Sequence, residues 1–173
     1  MSDPDEVTRH AVAARDGGVA AAAAFIRATQ PDVWRLCAYL AGRDAADDLT
    51  QETYLRAWSA LPRFDVRSSA RTWLLSIARR VAADHIRATQ RARRRDQWLT
   101  APDPIAAPDD AIALADLLDR LDSRRRTAFV LTQLVGVSYE EAARICRCPV
   151  GTIRSRVARA REDLLRHLGS PTA

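Results

Sequence analysis

Apolar residues along this chain recur at three- and four-residue spacing, and no stretch sustains the apolar/polar alternation of a half-buried strand. The pattern therefore predicts helices throughout. From Ala20 to about Ala41, the residues Phe25, Val33, Leu36, Cys37 and Leu40 suit a helical segment that Pro31 is expected to divide in two. Asp47 to Leu61 and Ser69 to about Gln97 repeat the periodicity, joined by a basic loop, Pro62 to Ser68, whose one aromatic is Phe64. Thr100 to Asp110 packs three prolines and three acids into eleven residues and reads as a linker. Beyond it, Ile112, Leu114, Leu117, Leu118 and Leu121 open a second helical region continued by Phe129, Val130, Leu131 and Leu134. The predicted fold is all-α. Two small helical domains, 20–98 and 111–168, are joined by a Pro/Asp-rich linker at 99–110, with flexible ends at 1–19 and 169–173.

The most specific local signal is a helix-turn-helix near the end of the second domain. Ser138-x-x-Glu141 is a capping box, in which each side chain satisfies a free backbone N–H of the first helical turn. Cys148-Pro149 then breaks the chain, and a proline suits the first turn of the next helix because its missing N–H would be unpaired there. On a helical wheel Ile153, Val157, Ala160 and Leu164 share one face, leaving Arg154, Ser155, Ala158 and Arg159 on the other. A stripe of arginine, small and hydroxyl side chains is what a helix in a DNA major groove needs.

Composition sharpens this picture through position more than through amount. All 27 basic residues are arginine, which weakens any single arginine as a sign of phosphate binding. Residues 1–62 carry a net charge of −3 and 63–95 of +8, whereas 96–146 carry −4 and 147–173 +4. Two basic blocks separated by acidic ones predict two surfaces facing a polyanion, with acidic surfaces left for a protein partner.

Other chemistries find little support in the sequence. The odd cysteine count (Cys37, Cys146, Cys148), in an arginine-rich chain without a signal-peptide pattern, predicts the reducing cytoplasm. Cys146-x-Cys148 has no other Cys or His at ligand spacing, with His167 a lone candidate, so no metal or other cofactor is expected. His10, His85 and His167 form no paired metal spacing, and Asp84 and His85 point about 100° apart on a helix, so no catalytic residues are assigned and the chain is not read as an enzyme. The apolar stretch Val19 to Leu40 is interrupted by Arg27, Gln30, Pro31, Asp32 and Arg35, short of the ~20 residues a membrane span requires.

Three stretches in this order carry a family resemblance: Asp47-Asp48-Leu49-Thr50-Gln51-Glu52-Thr53-Tyr54-Leu55-Arg56-Ala57-Trp58, then Phe64 with Ser69-Ala70-Arg71-Thr72-Trp73-Leu74, then Pro149-Val150-Gly151-Thr152-Ile153-Arg154-Ser155-Arg156. Together they resemble the extracytoplasmic-function (ECF) sigma factors of bacterial RNA polymerase, over about residues 20–168. The middle stretch is especially similar to the actinobacterial sigma-C-like group. The resemblance implies a region 2 helical bundle followed by a region 4 helix-turn-helix. Its implied partners are core RNA polymerase, through the β′ clamp helices and β flap, promoter DNA, and an anti-sigma factor.

By the same resemblance, Asp48, Gln51 and Glu52 bind polymerase, and their acidic and amide character inside the −3 block fits a basic protein groove. Arg63, Phe64, Arg67, Ser68, Arg71 and Arg80 would hold the melted minus-10 element, where unstacked bases meet loop pockets, aromatic rings and arginine planes. Trp73 reads either as a base platform or as core, with Leu74, Leu75 and Ile77 favouring core. The minus-35 element falls to Thr152, Arg154, Ser155, Arg156, Arg159 and Arg161, the last of which, with Arg156, is placed for phosphates. Relatives often carry Arg-Gly after the phenylalanine, where this chain has Asp65-Val66, and Asn at the position of Arg80. A relative's minus-10 preference therefore does not transfer. The competing reading is a helix-turn-helix regulator that never binds core polymerase, and the Asp48/Gln51/Glu52 segment discriminates the two.

Overall fold

The computed structural model describes residues 4–95 and 110–169, and no strand occurs among them. The expected linker falls almost wholly outside these residues, as does the tail beyond Gly169. Helices α1 (Pro4–Arg15), α2 (Val19–Ala41), α3 (Arg43–Ala60) and α4 (Ala70–Arg95) form the first domain. Helices α5 (Asp110–Asp119), α6 (Ser123–Phe129), α7 (Tyr139–Cys146) and α8 (Val150–Gly169) form the second.

The first domain departs from expectation twice. Residues 1–19 were expected to be flexible, yet α1 lays Val7 and Ala11 into the core, at 1% and 0% exposure. The apolar positions of α1 are small and few, so their four-residue spacing gives a weak sequence signal for a real packing face. Pro31 was expected to divide its segment, yet α2 runs unbroken through it. Pro31 is exposed, while Phe25, Thr29, Val33 and Leu36 on either side of it are buried, so tertiary packing holds the helix together across the missing N–H.

Around α2, Leu49, Tyr54 and Ala57 of α3 and Leu74, Leu75, Ala78 and Val81 of α4 complete the core. Two of its buried hydroxyls meet each other: Thr29 donates to the Phe25 carbonyl at 2.7 Å and lies 2.7 Å from the Tyr54 hydroxyl, whereas the buried Thr50 hydroxyl has no hydrogen-bond partner among the described residues. Gly42 is at once the last cap of α2 and the first of α3, and its φ of 98° explains why a glycine makes this turn.

In the second domain the Asp122 carboxylate caps α6 by accepting the N–H groups of Arg124 and Arg125. A single π-type turn, Val130–Leu134, follows α6 and ends at Gly136, whose φ is 77°. The capping box of α7 forms as the sequence predicts: Glu141 N–H meets the Ser138 hydroxyl at 3.1 Å, and Ser138 N–H meets the Glu141 carboxylate at 2.9 Å. Arg147 then takes the left-handed conformation that closes the helix, with Cys148 N–H bonded to the Ala143 carbonyl at 3.1 Å. Pro149 stands one residue earlier than predicted, before the first turn of α8, where its carbonyl accepts from Thr152 and Ile153.

The two domains share a seam. Helix α7 packs on α4, and the π-type turn packs on α2. Across it Arg71 donates to the Val135 carbonyl at 3.0 Å, Arg79 to the Ile145 carbonyl at 3.1 Å, Arg126 to the Tyr39 carbonyl at 2.7 Å, and the Thr72 hydroxyl to Glu141 at 3.0 Å.

Candidate nucleic-acid interface

Helix α8 divides into the two faces that its sequence periodicity predicts. Ile153, Val157 and Ala160 are at most 1% exposed, whereas Arg154, Ser155, Ala158 and Arg159 face solvent. Among the described residues the guanidinium groups of Arg154 and Arg159 make no hydrogen bond or ion pair, which leaves their donors free for a ligand. The flanking residues differ. Arg156 is half-buried and points at the Cys148 sulfur, 3.6 Å away, and Arg161 donates to the Gln133 side chain at 2.7 Å. Thr152 is half-buried, and its carbonyl accepts the Ser155 hydroxyl at 3.0 Å.

The basic loop after α3 begins with a 3₁₀ turn, Leu61–Arg63, and ends where Ser69 caps α4 by accepting the Thr72 N–H at 3.2 Å. Arg63 is exposed and makes no bond among the described residues, and Arg67 is exposed and paired with Asp65 at 2.7 Å. Ser68 is half-buried. Val66 lies at φ 60°, a conformation that a β-branched side chain strongly resists. Two expected DNA contacts are otherwise engaged. The Phe64 ring is 4% exposed and packs against Trp73 with centroids 4.9 Å apart, so it supports the loop from beneath and offers no platform to a base. A lone aromatic in a basic loop reads the same from sequence whether it points out or in. Arg71 is 20% exposed, held by Asp32 at 2.7 Å and by the Val135 carbonyl, so its donors are already used at the seam. Trp73 itself is half-buried against the core.

Arg80 is exposed on α4, its Nε on the Ser76 carbonyl at 3.1 Å. Burial of part of its side chain, and then the like charges of Arg147, Arg79 and Arg56, lower its pKa from the ordinary arginine value. That crowding of cations from α3, α4 and the end of α7 is a concentration of positive charge that neither basic block alone indicates.

On α3, Asp48 and Gln51 are exposed. Glu52 is drawn into a chain of pairs, with Arg56 bonded to Glu52 at 2.7 Å and to Asp84 at 2.9 Å. Asp47, one residue earlier, accepts the Trp34 indole N–H at 2.8 Å and so belongs to the frame. Sequence reasoning missed Leu55, which lies 56% exposed beside Gln51 and Glu52 over a shallow groove shared with Ser59, Ala60 and Arg63. Its signal was available: Leu55 falls outside the buried set Leu49, Thr53 and Ala57. Also missed were Thr8 and Arg15 of α1, which contact the loop, since that segment was expected to be flexible.

Two helical domains, one ending in a helix-turn-helix with an open arginine stripe and the other carrying a basic loop, have the architecture expected of a bipartite DNA-binding protein. Comparison with known families makes the class specific. Residues 25–92 match the Sigma-70 region 2 family, and residues 111–164 match Sigma-70, region 4. The chain is 51% identical over 170 residues to the "ECF RNA polymerase sigma factor SigC" of Mycobacterium tuberculosis (strain CDC 1551 / Oshkosh), covering 95% of this chain and 92% of that one. It is 37% identical over 149 residues to the "ECF RNA polymerase sigma factor EcfG" of Rhodopseudomonas palustris (strain TIE-1), covering 80% of each. Among solved structures it resembles the sigma factor RpoE in complex with the anti-sigma factor NepR from Bartonella quintana, with TM-score 0.73, 29% identity and coverage of 85% of this chain and 96% of that one. It also resembles CnrH in complex with the cytosolic domain of CnrY, with TM-score 0.79, 26% identity and coverage of 98% and 100%.

The chain belongs to the sigma-70 family as an ECF RNA polymerase sigma factor, a protein of transcription initiation. The sigma family is not an enzyme family. No helix among the described residues is long and apolar enough to cross a membrane.

Proposed function

We propose that this chain docks on core RNA polymerase through the outward face of α3, reads duplex minus-35 DNA with α8, and holds the melted minus-10 strand on the loop 63–68. The observation that carries the reading is the contrast on α8 between Arg154 and Arg159, whose donors are free, and Arg156 and Arg161, whose donors are engaged. Arg154 and Arg159 therefore take the base edges, the exposed Ser155 hydroxyl between them can accept from a base while it donates to the Thr152 carbonyl, and Arg156 and Arg161 hold backbone phosphates once they leave their internal partners. On α3, Asp48 and Gln51 with the exposed Leu55 supply an acidic and apolar strip for a basic protein groove, and Glu52 adds to it from its pair with Arg56. In the minus-10 loop Arg63, Arg67 and Ser68 face the strand, Arg80 extends the positive surface, and Phe64, Arg71 and Trp73 support it from below.

The solved complexes with NepR and CnrY make an anti-sigma factor a fitting further partner, and the reading places the protein in the cytoplasm. The test is a pull-down of purified core polymerase with the double substitution Asp48→Arg, Glu52→Arg. Loss of core binding with unchanged affinity for minus-35 duplex supports the reading. Retention of core at wild-type level would leave a helix-turn-helix regulator with no polymerase contact on this face.

A further inference from the structure

The amino-terminal helix α1 lies outside the matched region 2 segment, which starts at residue 25, yet it touches both ends of the basic loop. At the loop's start, Arg15 at the end of α1 donates from a guanidinium nitrogen to the Phe64 carbonyl at 3.0 Å, across 49 residues of sequence. At its end, the backbone N–H of Ala70, the first residue of α4, is accepted by the Thr8 hydroxyl at 3.0 Å. Thr8 and Arg15 stand seven residues apart on a rigid helix, so they rise about 10 Å along its axis. The six residue steps from Phe64 to Ala70 could reach roughly 20 Å if extended. The loop is thus tied near both ends to one rigid helix, and between the ties it bows outward, Phe64 and Ala70 being buried and Asp65, Val66 and Arg67 exposed. The bow carries Asp65, Val66 and Arg67 into solvent, with Val66 driven to φ 60°.

Val7 and Ala11 supply the buried packing of α1, whereas Thr8 is half-buried and Arg15 is exposed. A left-handed β-branched residue persists only where its surroundings impose it. Below the bow, the Phe64 ring is fixed against Trp73, so the loop cannot relax inward.

We propose that α1 is a strut for the promoter-melting loop, in which Arg15 and Thr8 are positioning residues that hold residues 64–70 in an open, strained shape ready for a single strand. This rests on the reading of the loop as the minus-10 site. Pre-forming the loop removes an ordering cost that the bound strand would otherwise bear, so the gain appears as affinity for melted DNA and not as new contacts.

The test uses the full chain assembled with core polymerase. The probe is a fluorescent short single-stranded DNA selected by the wild-type chain from a randomised pool. Arg15→Met keeps the aliphatic stem and removes the donor, and Thr8→Val keeps the shape and removes the acceptor. Each is expected to weaken strand binding about tenfold, with unchanged affinity for core polymerase and for minus-35 duplex, and Thr8→Ser should restore wild-type binding. Salt dependence separates positioning from direct contact. A strut residue leaves the slope of log affinity against log salt as it was, whereas loss of a phosphate contact lowers it by about 0.7 for single-stranded DNA.

Arg63→Ala combined with Arg67→Ala is the control on the underlying reading. If that pair binds the strand as wild type does, the minus-10 assignment falls and the strut with it. If that pair weakens binding while Arg15→Met and Thr8→Val do not, the strut alone is overturned. A reduced salt slope in Arg15→Met would make Arg15 a DNA contact and overturn its positioning role. Should Arg15→Met fold poorly, the Thr8→Val and Thr8→Ser pair decides the matter.

Discussion

The bond between Thr72 and Glu141 predicts a measurable coupling between the two domains. One Glu141 oxygen accepts the Thr72 hydroxyl at 3.0 Å, and the other accepts the Ser138 N–H at 2.9 Å, so a single carboxylate both caps α7 and ties it to α4. A hydrogen bond to a charged acceptor contributes about 1.5–3 kcal/mol when shielded. Glu141 is only half-buried, and screening reduces the Thr72 share to about 1 kcal/mol. The cap adds about 1 kcal/mol more. Glu141→Ala should then cost about 2 kcal/mol and Thr72→Val about 1 kcal/mol, with the double variant close to Glu141→Ala alone and a coupling near 1 kcal/mol. Urea unfolding of the full chain measures this. Far-UV circular dichroism reports both domains, and in a Trp98→Phe background the fluorescence of Trp34, Trp58 and Trp73 reports the first.

The coupling also has a defined pH dependence. Burial alone would raise the Glu141 carboxyl, but the bonds from Ser138 and Thr72 and the nearby charge of Arg71 outweigh it and hold the pKa below its ordinary 4.5. A depressed carboxylate contributes stability that is present above its unfolded pKa and lost as pH falls through its folded one. The coupling should be whole at neutral pH and fade as the solution becomes more acid than pH 4.5. Additivity of the two substitutions within about 0.3 kcal/mol at neutral pH would refute the seam as a docked interface in solution.

On α8, Arg159→Ala should cost ~1–3 kcal/mol on minus-35 duplex selected by the wild-type chain and far less on scrambled duplex, whereas Arg161→Ala, which also frees Gln133, should weaken both evenly. Equal losses on the two duplexes for Arg159→Ala, measured by fluorescence anisotropy, would rule out base readout at that residue. Burial pushes the Cys37 and Cys146 thiols up from an ordinary 9.0 to about 11 each. Because only thiolate is alkylated, iodoacetamide at about pH 8 should label both roughly 100-fold more slowly in the folded chain than in urea, a ratio that mass spectrometry reads directly. Equal rates in the folded and unfolded chain would contradict the packing around α2 and α7.

Helix content was legible because its signals are local. Ser138 and Glu141 cap a helix whatever surrounds them, and the 3.6-residue spacing of Ile153, Val157 and Ala160 marks a buried face before any partner is known. Pro31 and α1 were misread for the complementary reason. The intrinsic cost of a proline, or the weakness of an alanine-rich helix, is visible in sequence, while the packing that overrides it comes from residues far along the chain. The site divides in the same way. Arg154 and Arg159 follow from periodicity alone, but whether Phe64 faces out or in depends on Trp73 and on the Arg15 grip on its carbonyl, neither of which spacing predicts.

The arginines explain why counting charge overstates the DNA surface. Helices leave carbonyls unsatisfied at their C-terminal ends, and these ends carry partial negative charge. In this chain arginines from other elements repeatedly meet such carbonyls. Arg126 meets Tyr39 in the last turn of α2, Arg79 meets Ile145 in the last turn of α7, Arg71 meets Val135 just after the π-type turn, and Arg15 meets Phe64 just after the 3₁₀ turn. With no lysine in the sequence, arginine is the only full-time cation available for this work, and its forked donors can serve a carbonyl and a carboxylate together, as Arg71 does with Val135 and Asp32. The basic blocks are therefore composites. Some of their arginines close helix ends and join the two domains. Others keep open donors, among them Arg63 on the loop and Arg154 and Arg159 on α8, and these rather than the whole count are the charge available to a polyanion.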